Sequence, residues 1–164
     1  MINYKITPNP LAHEWHIRLT FRQEHDLETE ISLPNWVPGS YLIRDFSRHI
    51  TTIRVFCNGE YAHLTQVKKN RWRTAPQSGE WEIYYTVYAY DLSVRGSFLT
   101  AERGFFDGAC LFLQVNGQEN SAHQIEFPIL PKTWRIATTL PQTGIHSFQT
   151  TSYHDLIDHP VELG

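Results

Sequence analysis

Apolar and polar residues alternate with a period of two through much of the chain. In HEWHIRLTF, His13, Trp15, Ile17, Leu19 and Phe21 share one face, and Glu14, His16, Arg18 and Thr20 share the other. This is the pattern of a half-buried antiparallel strand. LETEISLP repeats it with Leu27, Thr29, Ile31 and Leu33, and the short polar connection QEHD predicts a hairpin between the two runs. HITTIRVFCNG predicts a strand ending in an Asn-Gly turn. EYAHLTQV and RWRTAP, separated by KKN, predict a second hairpin. In GEWEIYYTVYAY one face carries Trp81, Ile83, Tyr85, Val87 and Ala89, and the other Glu82, Tyr84, Thr86, Tyr88 and Tyr90. GACLFLQVNG, SAHQIEFPIL and TWRIATTL complete the expected strands.

Helical patterning is confined to two places. YLIRDFSRHI has room for one turn, and SYHDLIDH predicts a short helix with Ser152 as N-cap and His159-Pro160 as its stop. Many short strands with Pro and Gly turns define an all-β fold, an antiparallel sandwich or barrel. No repeat or linker divides residues 1–164, so one domain is expected. No further core element is evident after the stop, as at a boundary within a longer polypeptide.

Composition sharpens this picture. The 164 residues include five Trp, eight Tyr and nine Phe, and large aromatics favour strands. The net charge is -3, and the densest basic stretch, VKKNRWR, is broken by aromatic and polar residues. That argues against a nucleic-acid partner. Apolar runs are too short to span a bilayer, and no signal-peptide pattern opens the chain, so a cytoplasmic protein without a membrane partner is expected. Cys57 and Cys110 lie in apolar runs and read as buried free thiols, although two positions alone leave a disulfide open.

Catalytic signatures are sparse. The helical H-E-x-x-H zinc motif is absent. HEWH at 13–16 lies in a strand pattern that sends its two histidines to opposite faces. His154 and His159 diverge around a helix. PGSY reads as a tight turn, with Pro38 fixing φ and Gly39 supplying freedom, rather than a nucleophile elbow. Two stretches stand out. One is PNWVPGSYLIRDF, where Trp36, Pro38, Gly39 and Tyr41 form a rigid corner ahead of Arg44 and Asp45. The other is residues 88–112, which set Asp91, Arg95, Glu102, Arg103 and Asp107 among apolar neighbours. Such charges either pair to shape loops and a domain interface or contact a ligand.

These stretches resemble one family. LPNWVPGSYLIRDFSRHI resembles the P-x-W-x-P-G-S-Y-x-x-R-D-F signature near the start of the M61 peptidases, the glycyl aminopeptidase family, bacterial proteins that often carry a PDZ domain. RWR at 71–73, YTVYAYDLSVRGSFLTAERGFFDGACLFL and the closing YHDLIDHPVELG continue the resemblance in order across the chain.

The resemblance implies an N-terminal β saddle like that of the M1 aminopeptidases, followed by a zinc domain that is absent from this chain. It implies no cofactor and no metal ligand within these residues, and no peptide cleavage by them alone. The partners it implies are the catalytic domain of the same polypeptide and a peptide substrate. By analogy a loop of the saddle helps hold the substrate's α-amine. Glu102 and Asp107 are then candidate acceptors and Phe105 and Phe106 candidate pocket walls. The family often has Asn-Gly where this chain has Asp107-Gly108, so Asp107 reads first as a turn residue and second as an amine acceptor. The corner is expected to be held by Trp36 and Tyr41. Arg44 and Asp45 are expected to meet the 91–107 charges, including Asp91 and Arg95, or the catalytic domain. Two other readings stand beside this one. The first is an independent carbohydrate-binding module using Tyr84, Tyr88 and Tyr90. The second is a structural domain that self-associates through an apolar patch.

Overall fold

The computed structural model describes residues 1–37, 39–40 and 42–164. Its strands are β1 (Ile2–Asn9), β2 (Glu14–Gln23), β3 (Glu30–Ser32), β4 (Ile50–Cys57), β5 (Glu60–Tyr61), β6 (Leu64–Lys68), β7 (Arg71–Thr74), β8 (Gly79–Tyr88), β9 (Ser97–Leu99), β10 (Gly104–Phe106), β11 (Gln114–Val115), β12 (His123–Glu126), β13 (Ile136–Thr138), β14 (Gln142–Gly144), β15 (Ser147–Thr150) and β16 (Val161–Leu163). A short helix, α1, covers Tyr153–Ile157, and 3-10 turns cover Phe46–His49 and Gly108–Cys110.

The strands form three sheets. The large one runs β14-β15-β12-β1-β2-β8-β4-β5. Two four-stranded sheets, β13-β16-β10-β9 and β11-β3-β7-β6, supply the rest of a shared core. β2 and β8 are its spine, paired antiparallel from Glu14↔Tyr88 to Gln23↔Gly79. Their alternation holds residue by residue: Trp15, Ile17, Leu19, Phe21, Trp81, Ile83, Tyr85 and Val87 are buried. Trp15 meets Phe106 of the second sheet edge-on at 5.3 Å, which locks the layers together. The Asn58-Gly59 turn between β4 and β5 has positive φ at both residues (52° and 81°), as a type I′ hairpin needs. β6 and β7 pair as the predicted second hairpin.

The structure departs from the sequence reading in several places. β2 and the 27–33 run do not form a hairpin: β2 lies between β1 and β8, while β3 pairs with β7 and β11. Alternation marks a buried face but does not name the strand beside it. Leu27 is exposed, and Asp26 instead accepts a hydrogen bond from the Ser78 N–H (2.7 Å). His13 has φ 55° and precedes the strand. β1 was not expected at all. It pairs parallel with β12, whereas the other described pairs are antiparallel. β16 is a core element after the helix stop, with Val161 and Leu163 fully buried in mid-sheet.

The largest departure is GACLFLQV. Residues 108–113 are all buried, yet form a 3-10 turn and an irregular segment before the two-residue β11. Outside a ladder, their carbonyls need other donors. Three buried tyrosines supply them: Tyr85 OH donates to Leu111 O (3.0 Å), Tyr153 OH to Phe112 O (2.7 Å) and Tyr4 OH to Leu113 O (2.7 Å). Burial raises all three phenol pKa values well above the ordinary range, so each hydroxyl stays a donor.

Candidate functional site

The corner is closed by its own backbone. Ser40 N–H donates to Val37 O (3.0 Å) around Gly39 (φ 78°), and Arg44 N–H donates to Asn35 O (2.6 Å). The base of the loop is tied to the β6–β7 turn: Asn70 Nδ2 donates to Leu33 O (2.7 Å) and Leu33 N–H to Asn70 O (3.0 Å). Among the described residues of this segment, Val37 and Phe46 enter the core, whereas Trp36 is half exposed. Pro38 and Tyr41 lie outside the described residues. Asp45 accepts from Ser47 Oγ (2.8 Å) and has Lys69 at 3.9 Å. Among the described residues, neither Arg44 nor Asp45 forms an ion pair with the 91–107 charges, the first of the two partners expected for them. Arg44 Nε is buried without a hydrogen bond among them.

The 88–108 stretch folds onto itself. Asp91 Oδ1 accepts from Ser93 N–H (2.9 Å), Ser93 Oγ accepts from Arg95 N–H (3.2 Å), and Asp91 N–H donates to Ser97 O (3.0 Å). Asp91 therefore shapes its own loop, and Arg95 is exposed beside it. Gly96 leaves room at the base: a Cβ there would lie 2.7 Å from the Asp91 carboxylate and push that side chain aside. Opposite stands the 3-10 turn at 46–49. Phe46, His49, Tyr88, Tyr90, Leu92 and Phe98 wall a groove of about 390 Å³ between the two segments. Partial burial and the neighbouring Arg48 lower the His49 pKa, while Asp91 and Asp45 pull the other way.

The proposed amine-anchor residues separate. Glu102 is exposed at the tip of the β9–β10 hairpin, and Phe105 is half-buried on the outer face. Phe105 stands between Phe98 and Glu162 in register, and Arg103 bridges to Glu162 (3.0 Å). Phe106 points inward and is fully buried against Trp15 and Phe112. Asp107 Oδ1 caps the 108–110 turn by accepting from Ala109 N–H (2.9 Å). Burial raises its pKa and the nearby Asp158 adds to the effect, while the Ala109 bond opposes both.

Sequence reasoning missed the most exposed aliphatic residues here: Leu42 (64 %), Ile43 (82 %), Leu92 (76 %) and Val94 (75 %). Their signal was present as large apolar side chains within loops rich in Gly, Ser and charge. Cys57 and Cys110 are both free and buried. Cys110 Sγ rests on Asp107 O (2.9 Å) and Gly96 O (3.1 Å), and burial pushes its thiol up. Among the described residues, no three His, Cys, Asp or Glu side chains converge to hold a metal.

An eight-stranded sheet and two four-stranded sheets around one shared core define a β domain of the peptidase-saddle type. The chain belongs to the Peptidase M61 N-terminal domain family, whose model matches residues 3–164. Among solved structures it is similar to an aminopeptidase N family protein from Idiomarina loihiensis, at 39 % identity and a TM-score of 0.95. That match covers 100 % of this chain and 29 % of the other, so the chain spans under a third of that relative's length. None of the curated protein sequences compared with the chain matches it.

Proposed function

We propose that this chain is the non-catalytic N-terminal β domain of a zinc aminopeptidase. In this reading it packs against the catalytic domain of the same polypeptide and lines the substrate cleft. The carrying observation is a set of strongly exposed aliphatics in two loops, Leu42 and Ile43 after the corner and Leu92 and Val94 in the 91–96 loop, with Leu92 on the wall of the groove. Large aliphatic side chains this exposed suit a surface that is covered in the longer polypeptide. In this reading the zinc and its general base belong to the rest of the polypeptide; among the described residues no three His, Cys, Asp or Glu side chains converge on one point. Glu102 is the accessible carboxylate for the substrate's ammonium, and Phe105 lies on the same hairpin. Phe106 and Asp107 act from behind, as core and cap. The family's glycyl preference implies a small first side chain in the substrate.

The test begins with an immunoblot for the native gene product, which is expected well above the mass of this chain. Leu42→Glu with Leu92→Glu is then expected to leave the isolated chain's unfolding midpoint unchanged while uncoupling it from the rest of the longer polypeptide in calorimetry. Glu102→Gln is expected to raise KM for peptides with a free amine and to leave kcat nearly unchanged. A native product of the chain's own size, or a double variant that leaves the domains unfolding as one, would overturn the reading.

A further inference from the structure

The outer face of the large sheet curves into a trough of about 890 Å³, apart from the groove described above. Its floor is built in cross-strand rows. Lys5, Arg18, Tyr84 and Arg54 are successive partners across β1, β2, β8 and β4. Thr7, His16, Thr86 and Thr52 form the next row, and Thr52 Oγ1 donates to Thr86 Oγ1 (2.9 Å). Phe56 flanks the rows, edge-on to Tyr84 (5.8 Å) on one side and Tyr61 (5.9 Å) on the other.

The charge in this trough opposes that of the whole chain. Three cations (Lys5, Arg18, Arg54) and one carboxylate (Glu82) line it, on a protein of net charge -3. Glu82 is already engaged by Arg18 (2.7 Å) and by the Tyr84 hydroxyl (2.7 Å), and Lys5 by Glu126 (3.3 Å). Among the described residues, Arg54 has no carboxylate partner. No exposed Leu, Ile or Val lines the trough, unlike the loops that carry Leu42, Ile43, Leu92 and Val94. A sheet face has already spent its backbone groups in the ladder. An extended peptide laid there would lack the main-chain pairing that makes strand addition effective. A sugar chain instead brings its own hydroxyls to Thr, His, Tyr and Arg heads, and apolar ring faces to aromatic side chains.

We propose that this trough binds an acidic oligosaccharide, with a sugar carboxylate on Arg54 and sugar rings over Phe56 and Tyr84. The experiment is titration calorimetry of this chain with hexamers of galacturonate and of mannuronate, with maltohexaose and with hexaglutamate. Binding of at least one uronate, weakened by added salt, is expected. Arg54→Ala is expected to weaken it about tenfold or more. Arg22→Ala, an exposed arginine elsewhere on β2, is expected to leave it unchanged. Circular dichroism on each variant checks the fold. No uronate binding at millimolar concentration, equal binding of maltohexaose, tighter binding of hexaglutamate, or an Arg54→Ala variant that binds as well as the parent would each overturn the proposal.

Discussion

Replacing Tyr85 by phenylalanine removes one oxygen from the centre of the core and leaves the ring in place. That hydroxyl donates to Leu111 O (3.0 Å) and receives a longer contact from Leu113 N–H (3.4 Å). Both backbone groups are buried in a segment that has no ladder. A buried polar group left unpaired costs about 1–3 kcal/mol, more than the roughly 1 kcal/mol net value of an ordinary hydrogen bond. The volume lost is too small to open a real cavity, so the polar term dominates. A loss of about 2 kcal/mol is expected, which for a domain of this size lowers Tm by roughly 4–8 °C. Urea unfolding followed by tryptophan fluorescence and circular dichroism measures it, with an unchanged m value showing that the two end states are comparable. Tyr61→Phe, on an exposed ring, is the control and is expected to be neutral. A Tyr85→Phe loss below about 0.5 kcal/mol, the scale of ordinary surface substitutions, would refute the idea that tyrosine hydroxyls hold the 108–113 segment. So would a loss matched by Tyr61→Phe.

Asp107→Asn keeps the turn's cap and removes a charge that burial disfavours, so it is expected to be neutral or slightly stabilising at pH 7; Asp107→Ala is expected to cost about 0.5–2 kcal/mol in the same urea assay. Gly104→Ala places a Cβ 2.7 Å from Trp15 Cη2, with the indole fully buried, and is expected to cost about 1–3 kcal/mol. Burial is the main cause holding His123 below its ordinary value of 6.5. Its contribution to stability is therefore present in full above about pH 6.5 and is lost as the pH falls from there through the lower folded-state value. An NMR titration in which the His123 ring protonates at or above its ordinary value would contradict this.

The spine of the fold was legible because β2 and β8 each bury one face and wet the other, which period-two alternation reports directly. Ser152 capping α1 through the Asp155 N–H (3.1 Å) was legible for the same local reason. The partnership of strands was not. β3 alternates as cleanly as β2 over its buried positions, yet belongs to another sheet, because pairing is decided by contacts distant in sequence. The 108–113 segment misled for a different reason: a run buried on every side carries no period. Its conformation is set by hydroxyls from Tyr4, Tyr85 and Tyr153, far away in the chain. At the candidate site, the charges of the corner and of the 91–107 stretch were visible, but their partners were mostly their own neighbours. Asp91 to Ser93 and Asp45 to Ser47 are two-residue spans that a search for long-range ion pairs overlooks. The outward turn of Leu42 and Leu92 depends on backbone geometry that apolar patterning does not encode.

The parallel pairing of β1 with β12 also sets a schedule for the nascent chain. Ile2 must wait for His123 to leave the ribosome before that side of β1 is covered. At about 5–20 residues per second, the wait is roughly 6–24 s. During it β1, β2, β8 and β4 can already zip together by antiparallel pairing, with the free side of β1 offering bare N–H and C=O groups to any passing strand. The domain is thus most exposed to aggregation in the interval before β12 emerges, and a holdase chaperone recognising an extended apolar segment around Ile2, Tyr4 and Ile6 is the kind of helper it would need.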